Sequence, residues 1–380
     1  MDDARREGGA ERLRPAEHHT TIARRMMRRR TFLETIGRVA AAGGGLLRFR
    51  SRRSPRHWSW VHGGRDRTVA EWADRFAQIR EAGFHGVLAS GGDSATLSTA
   101  ARGAGLAFHR WIWTLNRNGD EWVKSNHPEW FTVNRNGESS LENPPYVGYY
   151  KWVCPTRPEV RRYLAAQIEA VARDPAVEGV HLDYIRFPDV ILPVGLWSRY
   201  HLVQDREYPE FDSCYCAVCR DTFRRRSGVD PMSLDDPASD VAWRAFRWEA
   251  VTGMVEVLAA AAHRHGKPIS AAVFPTPTIA RRLVRQAWDR WPLDAVFPMI
   301  YHEFYQQAVP WIEQAAREGV TALASRIPLY GGLYLPSLSP PAFGDGARRV
   351  MRSGAAGVCA FEMDGLTDPH LSAFAAAVRD

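Results

Sequence analysis

The segment Glu178-Gly179-Val180-His181-Leu182-Asp183-Tyr184-Ile185-Arg186-Phe187-Pro188 concentrates groups that could do chemistry. It reads as a short buried strand that ends in an acid, an aromatic ring, a guanidinium and a proline. Strand alternation puts Val180 and Leu182 on one face and His181 and Asp183 on the other. The apolar pair suits a helix-covered face, so Asp183 is expected at the tip, pointing into a barrel mouth, where barrel enzymes carry their catalytic groups. The plainer alternative is an acid that only accepts backbone N–H bonds at a strand end. The crowding of polar and aromatic residues at the same point favours the chemical reading. His181 is expected as a lumen histidine bonded to a neighbour, in a supporting role.

Further groups fall at the ends of other strand-like runs. Phe297-Pro298-Met299-Ile300-Tyr301-His302-Glu303 continues the alternation to Tyr301 and Glu303, and Phe361-Glu362-Met363-Asp364 offers Glu362 and Asp364. His62, Trp111 and Trp113 close two earlier runs. Two carboxyl groups flanking a bond, with flat rings to hold a pyranose, are the requirements of glycosidic bond hydrolysis. On this reading Asp183 is nucleophile or general base, and Glu303, with Glu362 as the alternative, is proton donor. His62, Trp111, Trp113, Tyr184, Arg186, Tyr301 and His302 bind substrate, Arg186 either paired with a carboxylate or standing as a rim cation, and Lys151 and Trp152 add contacts from a neighbouring loop or only anchor that loop.

These groups need a scaffold that brings strand ends to one rim. After residue 56 the chain alternates apolar strands with amphipathic helices. Strands are expected at Trp58–His62, His85–Ser90, Ala107–Trp113, Gly179–Tyr184, Ile269–Phe274, Ala295–Tyr301, Pro328–Leu333 and Gly357–Glu362. Helical periodicity covers Val69–Ala82, Glu159–Arg173, Val241–His265, Ile279–Trp291 and Pro341–Ser353 among others. Gly83, Gly105, Gly266 and Gly354 each stand where a helix should stop before a strand. This order predicts an α/β fold, a (β/α)8 TIM barrel over 57–380, with long insertions after strands three and four. No G-x-G-x-x-G turn follows the first strand, which argues against a dinucleotide-binding open sheet. Two enlarged rim loops suit a cleft for an extended ligand.

Fourteen Trp, twelve Tyr and sixteen Phe supply both core and stacking surfaces. The net charge of +7 is misleading about partners. Residues 1–56 hold fifteen Arg, no Lys and six acids, so the remainder is close to neutral. Without a basic stripe in the body, a nucleic-acid partner is excluded. Within the leader, Arg28-Arg29-Arg30-Thr31-Phe32-Leu33 precedes the mildly apolar Val39 to Leu47, a twin-arginine-like signal. Export to the periplasm or beyond is expected, with a cytoplasmic location if the leader does not function. Glu34 and Arg38 interrupt the apolar run, and no A-x-A site precedes Arg48. No run of about 20 apolar residues predicts a membrane span.

Five cysteines are present. Cys359 is expected as a buried small hydrophobe. Cys214-x-Cys216-x-x-Cys219 is a metal or disulfide spacing, and Cys154 falls on the same rim. Disulfides or free thiols are the first expectation, with no metal and no cofactor; a structural zinc on Cys154, Cys214, Cys216 and Cys219 is the alternative.

The body resembles the glycosyl-hydrolase-like TIM-barrel proteins known as family-10-like glycosidases, which are often exported. The resemblance rests on His127-Pro128-Glu129-Trp130-Phe131, on Tyr150-Lys151-Trp152-Val153-Cys154-Pro155 with Pro158-Glu159-Val160-Arg161, and on His181-Leu182-Asp183-Tyr184-Ile185-Arg186-Phe187-Pro188. It continues through Cys214-Tyr215-Cys216-Ala217-Val218-Cys219-Arg220, Ile269-Ser270-Ala271-Ala272-Val273-Phe274-Pro275 and Phe297-Pro298-Met299-Ile300-Tyr301. It implies a TIM barrel, a carbohydrate substrate and a catalytic carboxylate at Asp183. A non-catalytic carbohydrate-binding barrel is the rival, and a metal-dependent hydrolase, which would need converging His and Asp ligands, is the third reading.

Overall fold

The computed structural model describes residues 56–379. The arginine-rich leader lies outside the described residues. Eight parallel strands form one sheet in the order β6-β5-β4-β3-β2-β1-β8-β7. They are β1 His57–His62, β2 Phe84–Ser90, β3 Ala107–Trp113, β4 Gly179–Asp183, β5 Ile269–Val273, β6 Ala295–Pro298, β7 Tyr330–Tyr334 and β8 Gly357–Phe361. Parallel bridges Val296↔Leu329 and Met299↔Gly332 join β6 to β7 and close the ring. The fold is the expected (β/α)8 barrel.

Helices α1 Val69–Glu81, α2 Ser94–Gly103, α3 Glu121–Asn126, α4 Pro158–Arg173 and α5 Ala217–Ser227 occupy the first half. Helices α6 Val241–His263, α7 Pro277–Val284, α8 Trp311–Leu323, α9 Pro340–Arg352 and α10 Asp368–Arg379 follow. Local sequence explains their limits. Thr68 and Glu71 make a reciprocal capping box at the start of α1, and Trp72, Phe76 and Ile79 recur on its buried face. Gly83, Gly105, Gly266 and Gly354 all take positive φ just beyond helices, as a left-handed stop requires.

Two elements are shorter than their periodicity suggests. The helix expected over Ile279–Trp291 stops at Val284, because Arg285 turns left-handed (φ 59°) and buries its guanidinium against Glu207. The strand expected over Ala295–Tyr301 runs as a ladder to Pro298 with one further bridge at Met299, and the chain winds into a 3-10 turn over His302–Tyr305. Between β3 and α4 lie residues 114–157, and between β4 and α5 lie residues 184–216.

Side chains fill the barrel in layers. Trp58, Trp60, Leu88, Trp111, Ala272, Phe297, Tyr330 and Cys359 form an inner cluster separate from the larger one between sheet and helices. Bulky indoles fit because nearby strands carry glycine. A Cβ on Gly86 would lie 2.3 Å from the Trp58 ring, and one on Gly332 would meet the Trp60 ring at 3.0 Å. Midway up, the Trp60 indole N–H donates to His181 Nε2 (3.0 Å). Nδ1 therefore carries the proton and faces Ser270 Oγ at 2.9 Å. Burial lowers the His181 pKa far below its ordinary value, so the ring is a neutral relay inside the core.

Candidate active site at the barrel mouth

Above that layer the strand ends bring His62, Trp111, Asp183 and Phe361 to one level. The β3–β4 register pairs Trp111 with His181 and Trp113 with Asp183. Backbone bonds fix the tip of β4: the Thr114 N–H and hydroxyl both donate to the Asp183 carbonyl, at 2.9 and 2.6 Å. Tyr184 then takes a left-handed conformation (φ 51°), uncommon for a bulky residue. This turn aims the Tyr184 N–H back at Asp183 Oδ1 (2.6 Å), while the Trp111 indole N–H donates to Oδ2 (3.0 Å).

Asp183 is half-buried. Burial raises its pKa, against the lowering effects of the Tyr184 N–H, Arg186, the Trp111 N–H and His62. Loss of water outweighs those partners, so the carboxyl holds its proton to a higher pH than an ordinary aspartate. Tyr301 is buried beside it; burial first and then the Asp183 charge raise its phenol pKa.

Glu362 follows β8, which stands four strands from β4 in either direction around the ring. Its Oε2 lies 3.1 Å from His62 Nε2 and its Oε1 3.0 Å from Arg65. Ser90 Oγ lies 3.3 Å from the other His62 nitrogen, and the His62 ring stands 5.1 Å from Trp111. The two acids are thus joined by a run of contacts from Asp183 through Trp111 and His62 to Glu362. Arg65 also binds Asp364, which Arg67 engages at 2.8 Å. A cavity of about 430 Å³ opens beside Glu362, with Tyr334 and Phe361 in its lining; Asp183 is outside that lining.

Trp113 is partly exposed and packs its ring 4.5 Å from Tyr184 and 6.5 Å from the exposed Tyr149. These three rings form an aromatic patch next to Asp183. Trp152, from the same loop as Tyr149, backs Tyr184 at 5.4 Å. Lys151 instead turns to the Leu141 carbonyl (2.8 Å) and anchors the loop.

Three residues expected at the site are placed elsewhere. Glu303 is exposed on the turn after β6, because the inward alternation of Phe297, Met299 and Tyr301 gives way to a 3-10 turn at His302. His302, on the same turn, is buried, and burial lowers its pKa. Arg186 lies beneath the rim, caged by Tyr150, Trp152, Tyr184 and Phe274 and paired with Asp189 at 2.7 Å. Burial opposes its charge, but Asp189 and the surrounding phenols hold its pKa above the usual range. Arg186 is therefore a buried support for Tyr184 rather than a rim cation.

Arg65, Tyr149, Tyr334 and Phe361 are the neighbours that sequence reasoning missed. A signal existed for two of them: Arg65 follows the Gly63-Gly64 pair beyond β1, adjacent to β8 in a closed barrel, and Tyr149 begins a Tyr-Tyr doublet. On the same side of the molecule, Cys154, Cys214, Cys216 and Cys219 are buried together, and none is disulfide-bonded.

No family model matches the chain, and no curated protein matches it. Solved structures do. The catalytic domain of a β-amylase from Paenibacillus polymyxa aligns with a TM-score of 0.60 at 11% identity, over 85% of this chain and 97% of that one. The glycoside hydrolase domain of PgaB (BpsB) from Bordetella bronchiseptica gives 0.58 at 12%, over 86% and 99%. An α-L-fucosidase isoenzyme 2 from Paenibacillus thiaminolyticus gives 0.53 at 12%, over 86% and 48%. At such identities the likeness is one of fold, and this chain is similar to the barrels of glycoside hydrolases.

Proposed function

We propose that this chain hydrolyses glycosidic bonds in an oligosaccharide or polysaccharide, with Asp183 and Glu362 as its working carboxyl pair. The observation that carries the reading is Asp183 itself. It is a half-buried acid with a raised pKa, at the mouth of a glycosidase-like barrel, beside an aromatic patch of pyranose-binding character. A carboxyl that keeps its proton suits a general acid, so Asp183 would protonate the leaving glycosidic oxygen. This reverses the nucleophile or base role that strand position alone suggested. Glu362, its charge matched by Arg65 and its orientation fixed by His62, would act from the opposite side as nucleophile or base. Trp113, Tyr149 and Tyr184 would stack against the sugar. Glu303 is assigned no step.

The test is a screen of purified protein against a polysaccharide panel with Asp183→Asn, Glu362→Gln and Glu303→Gln in parallel. The first two should lose turnover by about 10²–10⁴-fold, the usual contribution of a positioned acid or base, while sugar binding persists. Glu303→Gln should retain activity. Full turnover by Asp183→Asn would overturn the assignment, and loss in Glu303→Gln alone would move the partner to Glu303. One observation favours a second reading, a non-catalytic carbohydrate-binding barrel: both Glu362 oxygens are already occupied. In that case no panel member is cleaved, yet Trp113→Ala weakens sugar binding.

We further infer membership of the family-10-like glycosidases and export through the Arg28-Arg29-Arg30 leader. Replacing Arg29 and Arg30 with Lys should retain the protein in the cytosol; unchanged export would refute the leader's role.

A further inference from the structure

We propose that Cys154, Cys214, Cys216 and Cys219 hold one structural zinc ion that ties the two long rim loops together. All four Sγ atoms lie within 4.8 Å of one another, and all four residues are buried. Cys154 Sγ stands 3.4 Å from Cys219 Sγ and 3.8 Å from Cys216 Sγ. A tetrahedron with zinc–sulfur bonds of about 2.3 Å has edges of about 3.8 Å; the second separation matches that value and the first is slightly shorter. A disulfide needs about 2.05 Å, and joining any pair would leave two buried thiols facing the bridge.

The surroundings suit a zinc tetrathiolate, which carries a net charge of −2. Cys216 caps α5 and Cys219 lies in its first turn, where unpaired backbone N–H groups favour negative charge. The Val133 N–H points at Cys214 Sγ (3.4 Å), as outer-shell donors to metal thiolates do. Arg161 on α4 brings a positive charge close by, its guanidinium donating to the carbonyl of Pro155, the residue after Cys154 (2.8 Å). Four protein sulfurs leave no position open for substrate or water, so the site is structural rather than catalytic.

Its placement gives it a task. Cys154 stands near the end of the loop after β3, Cys214 and Cys216 end the loop after β4, and Cys219 lies in the first turn of the helix that follows it. The same seam is stitched by the bridge Asn134↔Ser213 and by the Tyr215 N–H to the Val133 carbonyl (2.7 Å). Trp152, two residues before Cys154, backs Tyr184 and the Arg186 cage. A metal here would hold the aromatic patch in register with Asp183, and it stands whether or not the barrel proves hydrolytic.

The experiment is elemental analysis of the full chain purified without metal-affinity steps, followed by mercurial titration with a zinc-sensitive dye. We expect one zinc per chain, released as four thiols react. Replacement by cobalt should give thiolate-to-cobalt charge-transfer bands with the visible bands of a tetrahedral sulfur site. Cys216→Ser should lower zinc content at least tenfold. Should that variant not fold, the wild-type stoichiometry and cobalt spectrum decide alone. Four free thiols without metal, a disulfide found by non-reducing peptide mapping, or iron in place of zinc would each overturn the proposal.

Discussion

Replacing Trp111 with Phe should move the proton affinity of Asp183 upward. The indole N–H donates to Asp183 Oδ2 at 3.0 Å, and this bond stabilises the charged carboxylate. Phe keeps a ring against His62 and Phe361 but removes the donor. A hydrogen bond to a charged group is worth roughly 1.5–3 kcal/mol, and one pKa unit corresponds to about 1.4 kcal/mol. Full loss would therefore raise the pKa by about one to two units; because Asp183 is only half-buried, water takes over part of the bond and about one unit is expected. The direct assay is the titration of the Asp183 carboxyl carbon by NMR, assigned with Asp183→Asn, which needs no substrate. A substrate adds a second readout. If Asp183 acts as the acid, the alkaline limb of kcat/KM moves up by the same amount; if it acts ionised, the acidic limb moves up instead. An Asp183 that titrates at an unchanged or lower pH in the variant would refute the account of what tunes it.

Three further outcomes follow from contacts away from the carboxyl pair. Trp113→Ala should weaken oligosaccharide binding about tenfold, since an aromatic contact of this kind is worth about 0.5–1.5 kcal/mol beyond its area; titration calorimetry checks it, and unchanged affinity would remove the patch from the site. Arg186→Met should destabilise the fold by about 3–5 kcal/mol in urea unfolding, because Asp189 would be left as an unpaired buried charge. Adding Asp189→Asn should restore part of that loss, and additive losses would show that the pair is not coupled. Gly86→Ala should lower stability by about 1–3 kcal/mol by thermal unfolding, since its methyl would press on the rigid Trp58 ring.

Those contrasts show what the sequence carries and what it does not. Strand positions were legible because each is a short apolar run and four are preceded by a positive-φ glycine. The tip of β4 was legible because period-two alternation runs unbroken from Val180 to Asp183. The same rule holds through Tyr301 but fails at Glu303, where the 3-10 turn that begins at His302 erases the parity on which the reading depends. Arg186 lies below its expected place for a different reason. It finds a carboxylate at Asp189, but nothing near it in sequence marks the Tyr150 and Trp152 faces that complete its cage from another loop. The Glu362–His62 contact joins the last strand to the first, so it exists only once the barrel has closed.

Closure also determines how charge is distributed along the barrel axis. Below Asp183 the lumen holds indoles, phenyl rings and two histidines, His109 and His181, whose pKa values burial lowers, His109 to about 4. Near neutral pH neither carries charge, so the interior offers Asp183 no cation from beneath. The charges that act on it, Arg186 and His62, belong to the loops and the rim. A sugar seated on Trp113 and Tyr184 would displace water from the half-buried Asp183 carboxyl. With no compensating charge below, that loss would raise the carboxyl's proton affinity further. Substrate binding would then favour the protonated form needed for donation to a leaving oxygen. A non-hydrolysed oligosaccharide should accordingly shift the Asp183 carboxyl titration to higher pH, and a downward shift would contradict the acid role.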